Sequence, residues 1–259
     1  MSKTLLILSA DPAAAETARR IKALGHTLVI CDADPAAPGF ALADSCLIAD
    51  PRAPTDCAAA AERYNRKIRR IDGVLCLTDA PLTAAAVTER LRLPGLARHV
   101  AELADDRLRL KRAFASAGVA ACWHAEIFTP QELQRAAIAR ENLVIKPVER
   151  RGAEHRLGGA DDLAAQFQTV RAASPTERVM IEQYPEPVRV AAFLENGEVQ
   201  GPAQWRDPIS RAASALDLRE GPLTIEIVEN GAVLVDASPH LSPDSEFLEA
   251  AIRLATGEK

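Results

Sequence analysis

The sequence predicts an α/β protein in two parts, a parallel sheet followed by a region of mixed strand directions. Three observations lead to this fold class. Short apolar segments alternate with helical segments through the first hundred residues, which is typical of parallel strands joined by crossover helices. Beyond Pro94 this alternation gives way to strands that lie close together in the chain. Two pairs of these strands flank Asn-Gly turns, at residues 195–197 and 229–231, and such turns indicate antiparallel hairpins.

The elements of the first part follow from the spacing of apolar residues. Four or five consecutive apolar residues indicate a buried strand, and apolar residues every three or four positions indicate a helix. Strands are predicted at 4–8, 27–31, 45–49 and 73–77, and helices at 12–24, 55–70 and 81–93. The first helix should end at Gly25, because glycine accepts the left-handed backbone that closes a helix. Together these elements predict a Rossmann-like domain over residues 1–95.

The elements of the second part are predicted by the same criteria. Strands are expected at 141–147, 178–182, 188–194, 223–228 and 232–236, and helices at 105–117, 161–172 and 244–254. The domain boundary is placed between Pro94 and Asp105. The second domain would then cover residues 96–259.

Composition excludes several classes of function. The chain has 259 residues, with 31 basic and 36 acidic side chains and a net charge of −5, so no nucleic-acid partner is predicted. No apolar segment is long enough to span a membrane, so no membrane partner is expected. The five cysteines contain no C-x-x-C pair and are interpreted as reduced residues of a cytoplasmic protein.

Dinucleotide binding is the first functional hypothesis that a Rossmann-like domain raises. The turn after the first strand lacks the G-x-G-x-x-G pattern that lets a pyrophosphate approach the backbone. Asp11 in that turn would repel the pyrophosphate, and Asp32 is explained equally well as a turn residue. A dinucleotide site is therefore not favoured.

Two sets of charged residues in the second part suggest phosphate or metal chemistry. Lys146 follows an apolar strand and would either bind a phosphate or extend its ammonium group to solvent. Glu226 and Asp236 lie on the two arms of the terminal hairpin. They would either bind magnesium together or point to opposite faces in solvent. Counting from the turn makes them diagonal neighbours, unless a bulge changes the register.

The order of these motifs is more specific than any one of them. A D-[KR]-x-x-x-[KR] helix follows the Rossmann-like domain, then come a strand ending in Lys-Pro, a glycine-bearing loop, a strand ending in Glu-x-Tyr, a hairpin and two acidic strands. This order resembles the ATP-grasp superfamily from about Thr4 to Leu254, especially carbamoyl-phosphate synthetase large chains and related carboxylate–amine ligases. The resemblance implies ATP and Mg²⁺ as cofactors and activation of a carboxylate as an acyl phosphate. It also implies that the second domain contains a small lid subdomain at about 120–185 and a C-terminal sheet at about 186–259.

The resemblance also implies roles for the matching residues. Arg107 and Lys146 match the basic residues that contact ATP phosphates, and Arg151 and Gly152 match the loop that covers them. The hinge that reads adenine is matched by Glu182, Gln183 and Tyr184. The magnesium ligands are matched by Glu226, Asp236 and Ser238. His240 matches an arginine that steadies the transferred phosphate, so His240 and Arg151 are the candidate catalytic residues.

Several of these positions depart from the family pattern. Asp236 stands where a glutamate is usual, Ser238 where an asparagine is usual, and Arg189 where many members have an acid. Two functional hypotheses therefore remain. The first is an ATP- and magnesium-dependent ligase that joins a small carboxylate to an amine-type nucleophile. The second is a degenerate, non-catalytic nucleotide- or partner-binding protein. The resemblance leaves a homodimer open.

Overall fold

The structure is a computed structural model that describes residues 1–150, 154–158, 162–228, 233–242 and 245–258. Arg151, Gly152 and the predicted turn at 229–231 lie outside the described residues. The described strands form three sheets of four strands each. No helix in the described residues is both long enough and apolar enough to cross a lipid bilayer.

The first sheet is parallel, as the sequence predicts. Its strand order is β3-β2-β1-β4, and all of its pairs are parallel. The strands are β1 (Thr4–Leu8), β2 (Thr27–Asp32), β3 (Ser45–Ile48) and β4 (Gly73–Cys76). The helices between them are α1 (Ala15–Ala23), α2 (Pro54–Lys67) and α3 (Pro81–Leu91), with a 3-10 turn before α1 and another before β3.

Helices cover both faces of this sheet, because successive residues of its buried strands point to opposite sides. Leu5 and Ile7 pack in one core with α1, and Leu6 and Leu8 pack in another with α2 and α3. The last helix of the chain, α9 (Leu248–Thr256), returns to the first sheet and packs in the same core as α1. The first sheet is therefore covered by helices from the N-terminal and the C-terminal parts of the chain.

The second sheet is antiparallel, with the order β5-β8-β6-β7. Its strands are β5 (His124–Ile127), β6 (Leu143–Pro147), β7 (His155–Arg156) and β8 (Val179–Gln183), and its helices are α6 (Pro130–Ala139) and α7 (Leu163–Ala173). β5 and α6 were not predicted. β5 carries one fully buried side chain, that of Ile127, and so has little apolar signal.

The third sheet is also antiparallel, with the order β10-β9-β11-β12. Its strands are β9 (Val188–Glu195), β10 (Glu198–Gln200), β11 (Gly221–Val228) and β12 (Val233–Ser238). It packs with α4 (Arg98–Asp105), α5 (Arg107–Ser116) and α8 (Arg206–Leu216) around one core. The second part thus contains two antiparallel sheets where one mixed region was expected. The domain boundary near residue 95 stays a prediction.

The two hairpins of the third sheet show how the turns set the register. The predicted hairpin between β9 and β10 is confirmed, with positive φ angles of 52° at Asn196 and 83° at Gly197. Between β11 and β12 the register shifts by one residue, because Val235 has no partner in the ladder. Glu226 consequently pairs directly with Asp236, and the diagonal arrangement obtained by counting from the turn is wrong.

Candidate functional site

The candidate site lies where the second and third sheets meet the end of β4. β6 contributes Lys146, β8 contributes Glu182, and β12 contributes Asp236. Asp79 follows β4 at the carboxyl edge of the first sheet, the edge at which ligands of parallel sheets usually bind. An ion pair joins Lys146 to Glu182, and Arg150 joins Asp79 to Asp236.

A buried carboxylate between two lysines forms the floor of this site. Glu182 has 0% of its side chain exposed, and its Oε2 lies 2.8 Å from Nζ of Lys111 while its Oε1 pairs with Nζ of Lys146. Lys111 also donates to the carbonyl of Val235, the residue that the bulge leaves without a partner in the ladder. Burial alone would raise the pKa of Glu182, but the charges of the two lysines outweigh it and lower that pKa. Glu182 is therefore ionised.

Arg107 and Lys146 converge on one carboxylate, as their predicted role requires. Oε1 of Glu154 lies 3.1 Å from Nη2 of Arg107 and 3.4 Å from Nζ of Lys146. The guanidinium of Arg107 is held in place because it also donates to the carbonyls of Pro147 and Glu149, at 3.2 and 2.8 Å. Both cations are buried, whereas Glu154 has 40% of its side chain exposed.

The predicted adenine hinge lies beside these cations. The ring centroid of Tyr184 is 5.3 Å from Nζ of Lys146. The backbone N–H groups of Gln183 and Tyr184 donate to the carbonyls of Trp123 and Asn142 at 2.9 and 2.7 Å, so they are already engaged. Glu182 is paired with two lysines. The recognition of adenine by these three residues stays a prediction.

The two acids of the terminal hairpin face the same side of the sheet, because directly paired residues of antiparallel strands do so. Each acid is already bound by an arginine. Glu226 accepts from Nη2 of Arg189 at 2.7 Å and from the hydroxyl of Tyr184 at 2.6 Å. Asp236 accepts from both terminal nitrogens of Arg150, at 2.7 and 2.6 Å.

Arg150 is the most completely bonded side chain in the site. A guanidinium has five N–H donors, and here all five have an acceptor. Two donate to Asp236, one donates to Asp79 at 2.6 Å, and the others donate to the carbonyls of Ala104 and Ala237. Burial would raise the pKa of Asp236, but the charge and hydrogen bonds of Arg150 hold it well below its usual range.

A short chain of hydrogen bonds connects Asp79 to the two remaining predicted residues. The hydroxyl of Ser238 contacts Oδ1 of Asp79 and lies 2.9 Å from Nδ1 of His240. Burial lowers the pKa of His240 and outweighs the nearby acids, so the imidazole is neutral at pH 7. Because Asp79 is ionised, the Ser238 hydroxyl donates to it and Nδ1–H of His240 donates to the hydroxyl. The role of His240 at a transferred phosphate stays a prediction.

Solved structures similar in fold to this chain include ligases and synthetases. An L-amino acid ligase from Bacillus licheniformis superposes with a TM-score of 0.71 at 17% identity, covering 98% of this chain and 74% of its own. Phosphoribosylglycinamide synthetase from Anaerococcus prevotii gives 0.65 at 16% identity, covering 100% and 76%. N5-carboxyaminoimidazole synthetase from Staphylococcus aureus in complex with ADP gives 0.69 at 12% identity, covering 100% and 79%. The chain has the ATP-grasp fold. Its sequence matches no protein-family model and no curated protein at a significant level.

Magnesium, which the ATP-grasp resemblance implies, does not fit the side chains as they are arranged. Both carboxylate oxygens of Glu226 and both of Asp236 already accept hydrogen bonds from protein donors. Ser238 is engaged with Asp79 and His240. Within the described parts of the chain, no group of three or more His, Cys, Asp or Glu side chains is placed to hold a metal ion.

Four site residues were not identified from the sequence. They are Asp79, Lys111, Arg150 and Glu154. Asp79 and Lys111 had weak signals, as a strand-end acid and as the second basic residue of the D-[KR]-x-x-x-[KR] helix. Arg150 and Glu154 lie in a charged stretch in which no spacing singles them out.

Proposed function

We propose that the candidate site binds ATP and that Arg107 and Lys146 hold its phosphate groups. The observation that carries this proposal is the convergence of two buried cations on a single carboxylate, that of Glu154. Two cations brought together repel one another, and a site that holds them together favours an anion between them. A nucleotide phosphate carries more negative charge than a single carboxylate, so two neighbouring cations attract it more strongly.

Glu154 is suited to be displaced by such a ligand. Its side chain is 40% exposed, so the carboxylate can turn fully into solvent without being desolvated. Partly exposed ion pairs contribute on the order of 1 kcal/mol or less, so the loss of its two contacts is small. Arg107 stays fixed when Glu154 leaves, because two backbone carbonyls hold its guanidinium. The cations are therefore pre-organised and their present partner is exchangeable.

The reaction is the second part of the proposal. The likeness in fold to ligases and synthetases favours an ATP-dependent ligation that joins a small carboxylate to an amine. The pairing of Glu226 and Asp236 with arginines favours the alternative, a nucleotide-binding protein without catalysis. Catalysis of phosphoryl transfer depends mainly on positioning and charge neutralisation, so the test is turnover itself.

Titration calorimetry with ATP and with a non-hydrolysable analogue tests the binding site. Replacing Arg107 by methionine should weaken binding about 10- to 100-fold, the equivalent of about 1.5–3 kcal/mol for hydrogen bonds to a charged group. Arg109→Met is the matched control, because Arg109 lies on the same helix and is exposed. Equal affinity of Arg107→Met and the wild type would refute the proposed phosphate site.

ADP release in the presence of mixed small carboxylates and amines tests the reaction. The ligase hypothesis expects ADP release that depends on both substrates. Binding of ATP without ADP release under any such mixture would leave the nucleotide-binding alternative and exclude ligation of the compounds tested.

A further inference from the structure

We propose that Arg150 provides the positive charge that a divalent cation would otherwise provide in the candidate site, so that nucleotide binds without magnesium. This inference rests on the proposed ATP site. It concerns the ionic form of the ligand, which is the metal-free nucleotide anion.

The first argument is the position of the guanidinium. Asp236 lies opposite Glu226 on the face where the hairpin would hold a metal, and Nη1 and Nη2 of Arg150 bind its two carboxylate oxygens. Nη1 of Arg150 also bridges to Asp79, which follows β4, at 2.6 Å. One guanidinium therefore lies between two carboxylates from different parts of the fold, which is the arrangement that a bridging cation would have.

The second argument is that Arg150 cannot be exchanged easily. Its side chain is 1% exposed, and each of its five N–H groups has an acceptor. A divalent ion entering at Asp236 would have to break the two bonds that Arg150 makes to it and leave two N–H groups of a buried guanidinium without acceptors. Breaking a buried pair by removing one partner is strongly unfavourable. Arg150 contrasts in this respect with Glu154, whose partly exposed carboxylate can leave its site.

The third argument is that the opposite acid is engaged as well. Arg189 and the hydroxyl of Tyr184 each donate to one carboxylate oxygen of Glu226. The site thus contains cations suited to an anionic ligand, while Glu226 and Asp236 are already paired with protein cations. The charge pattern favours a free nucleotide phosphate over its magnesium complex.

ATP binding to the wild-type protein, measured by calorimetry with EDTA and again with excess Mg²⁺, tests the inference. Mg²⁺ converts free ATP to its magnesium complex, so we expect the apparent affinity to be unchanged or weaker with Mg²⁺. Binding that is at least tenfold tighter with Mg²⁺ would overturn the inference and leave the proposed ATP site standing. No binding in either condition would overturn the proposed site, and the inference with it.

Titration with Mn²⁺, followed by its electron paramagnetic resonance signal, tests the role of Arg150 without nucleotide. The wild type and the exposed-residue control Arg109→Met should bind no Mn²⁺ at this site. Arg150→Met, which frees the carboxylates of Asp79 and Asp236, should gain one Mn²⁺ site if it folds. Stoichiometric Mn²⁺ binding by the wild type that Asp236→Asn abolishes would overturn the inference. This last comparison does not depend on the folding of the Arg150 variant.

Discussion

Replacing Glu182 by glutamine should strongly destabilise the protein. The carboxylate is fully buried and is the anionic partner of both Lys111 and Lys146. Glutamine keeps the shape but removes the charge, and its NH₂ group would face a lysine ammonium, donor against donor. Lys111 would then lack an anionic partner, and Lys146 would keep only the partly exposed Glu154.

The size of this effect follows from the burial of all three groups. Removing one partner from a buried ion pair costs about 3–5 kcal/mol, and here one carboxylate serves two cations, which favours the upper half of that range. For a chain of this size, 1 kcal/mol corresponds to roughly 2–4 °C in Tm. We therefore expect Tm to fall by roughly 8–20 °C, provided that unfolding is reversible.

Urea unfolding followed by circular dichroism measures the change, and Glu226→Gln is the matched control. Glu226 also contacts two partners, Arg189 on the neighbouring strand β9 and Tyr184 just after β8, but Arg189 has 68% of its side chain exposed. The control should lose only about 1 kcal/mol, since exposed ion pairs are screened and the tyrosine hydroxyl can still donate to the amide oxygen. Equal losses in the two variants, or a loss below 1 kcal/mol in Glu182→Gln, would refute the assignment of Glu182 as a buried structural anion.

Three further predictions concern the stability of the protein. Lys146→Met should abolish ATP-dependent thermal stabilisation and also destabilise the unliganded protein by a few kcal/mol, because Glu182 loses a buried partner; an unchanged melting temperature of the unliganded variant would contradict this. The pKa of Glu182 is lower in the folded protein than in the unfolded chain, where it is about 4.3, so ionised Glu182 stabilises the fold at pH values above about 4.3. The free energy of unfolding should therefore fall as the pH drops below that value, and it should fall less steeply in Glu182→Gln. Gly39→Ala would place a Cβ 2.7 Å from the carbonyl oxygen of Ala10 and should cost about 1–3 kcal/mol, whereas Gly201→Ala, with its nearest contact at 3.4 Å, should cost less in the same assay.

The fold was predictable where local apolar patterns were strong. β1, β6 and β8 are short segments with nearly every side chain buried, and each was placed within two residues of its observed bounds. α6 was missed although a signal was present. Thr129 accepts a hydrogen bond from the backbone N–H of Glu132, and Phe128 N–H donates to Glu132, which are the contacts of a helix start with Thr-Pro-x-Glu spacing.

The site was predictable only in part, because its contacts join residues that are far apart in the chain. Arg107 and Lys146 could be matched as a pair, but their contact with Glu154 depends on how the segment beyond β6 folds back. Arg150 and Arg151 are adjacent and chemically identical, so the sequence alone could not indicate that Arg150 would turn inward to Asp79 and Asp236. Such a choice is made by distant acceptors and has no local pattern.

The bulge at Val235 is the local feature on which the arrangement of the site depends most. It adds one residue to β12, and because side chains alternate along a strand, the addition brings Asp236 to the face of Glu226. It also leaves the Val235 carbonyl free to accept from Lys111, which ties the bulge to the buried carboxylate of Glu182. Without the added residue, Asp236 would point to the opposite face and Arg150 would lose two of its five acceptor contacts. The register shift, Lys111 and Arg150 therefore support one another, and no one of them is expected to persist in its present form when either of the others is removed.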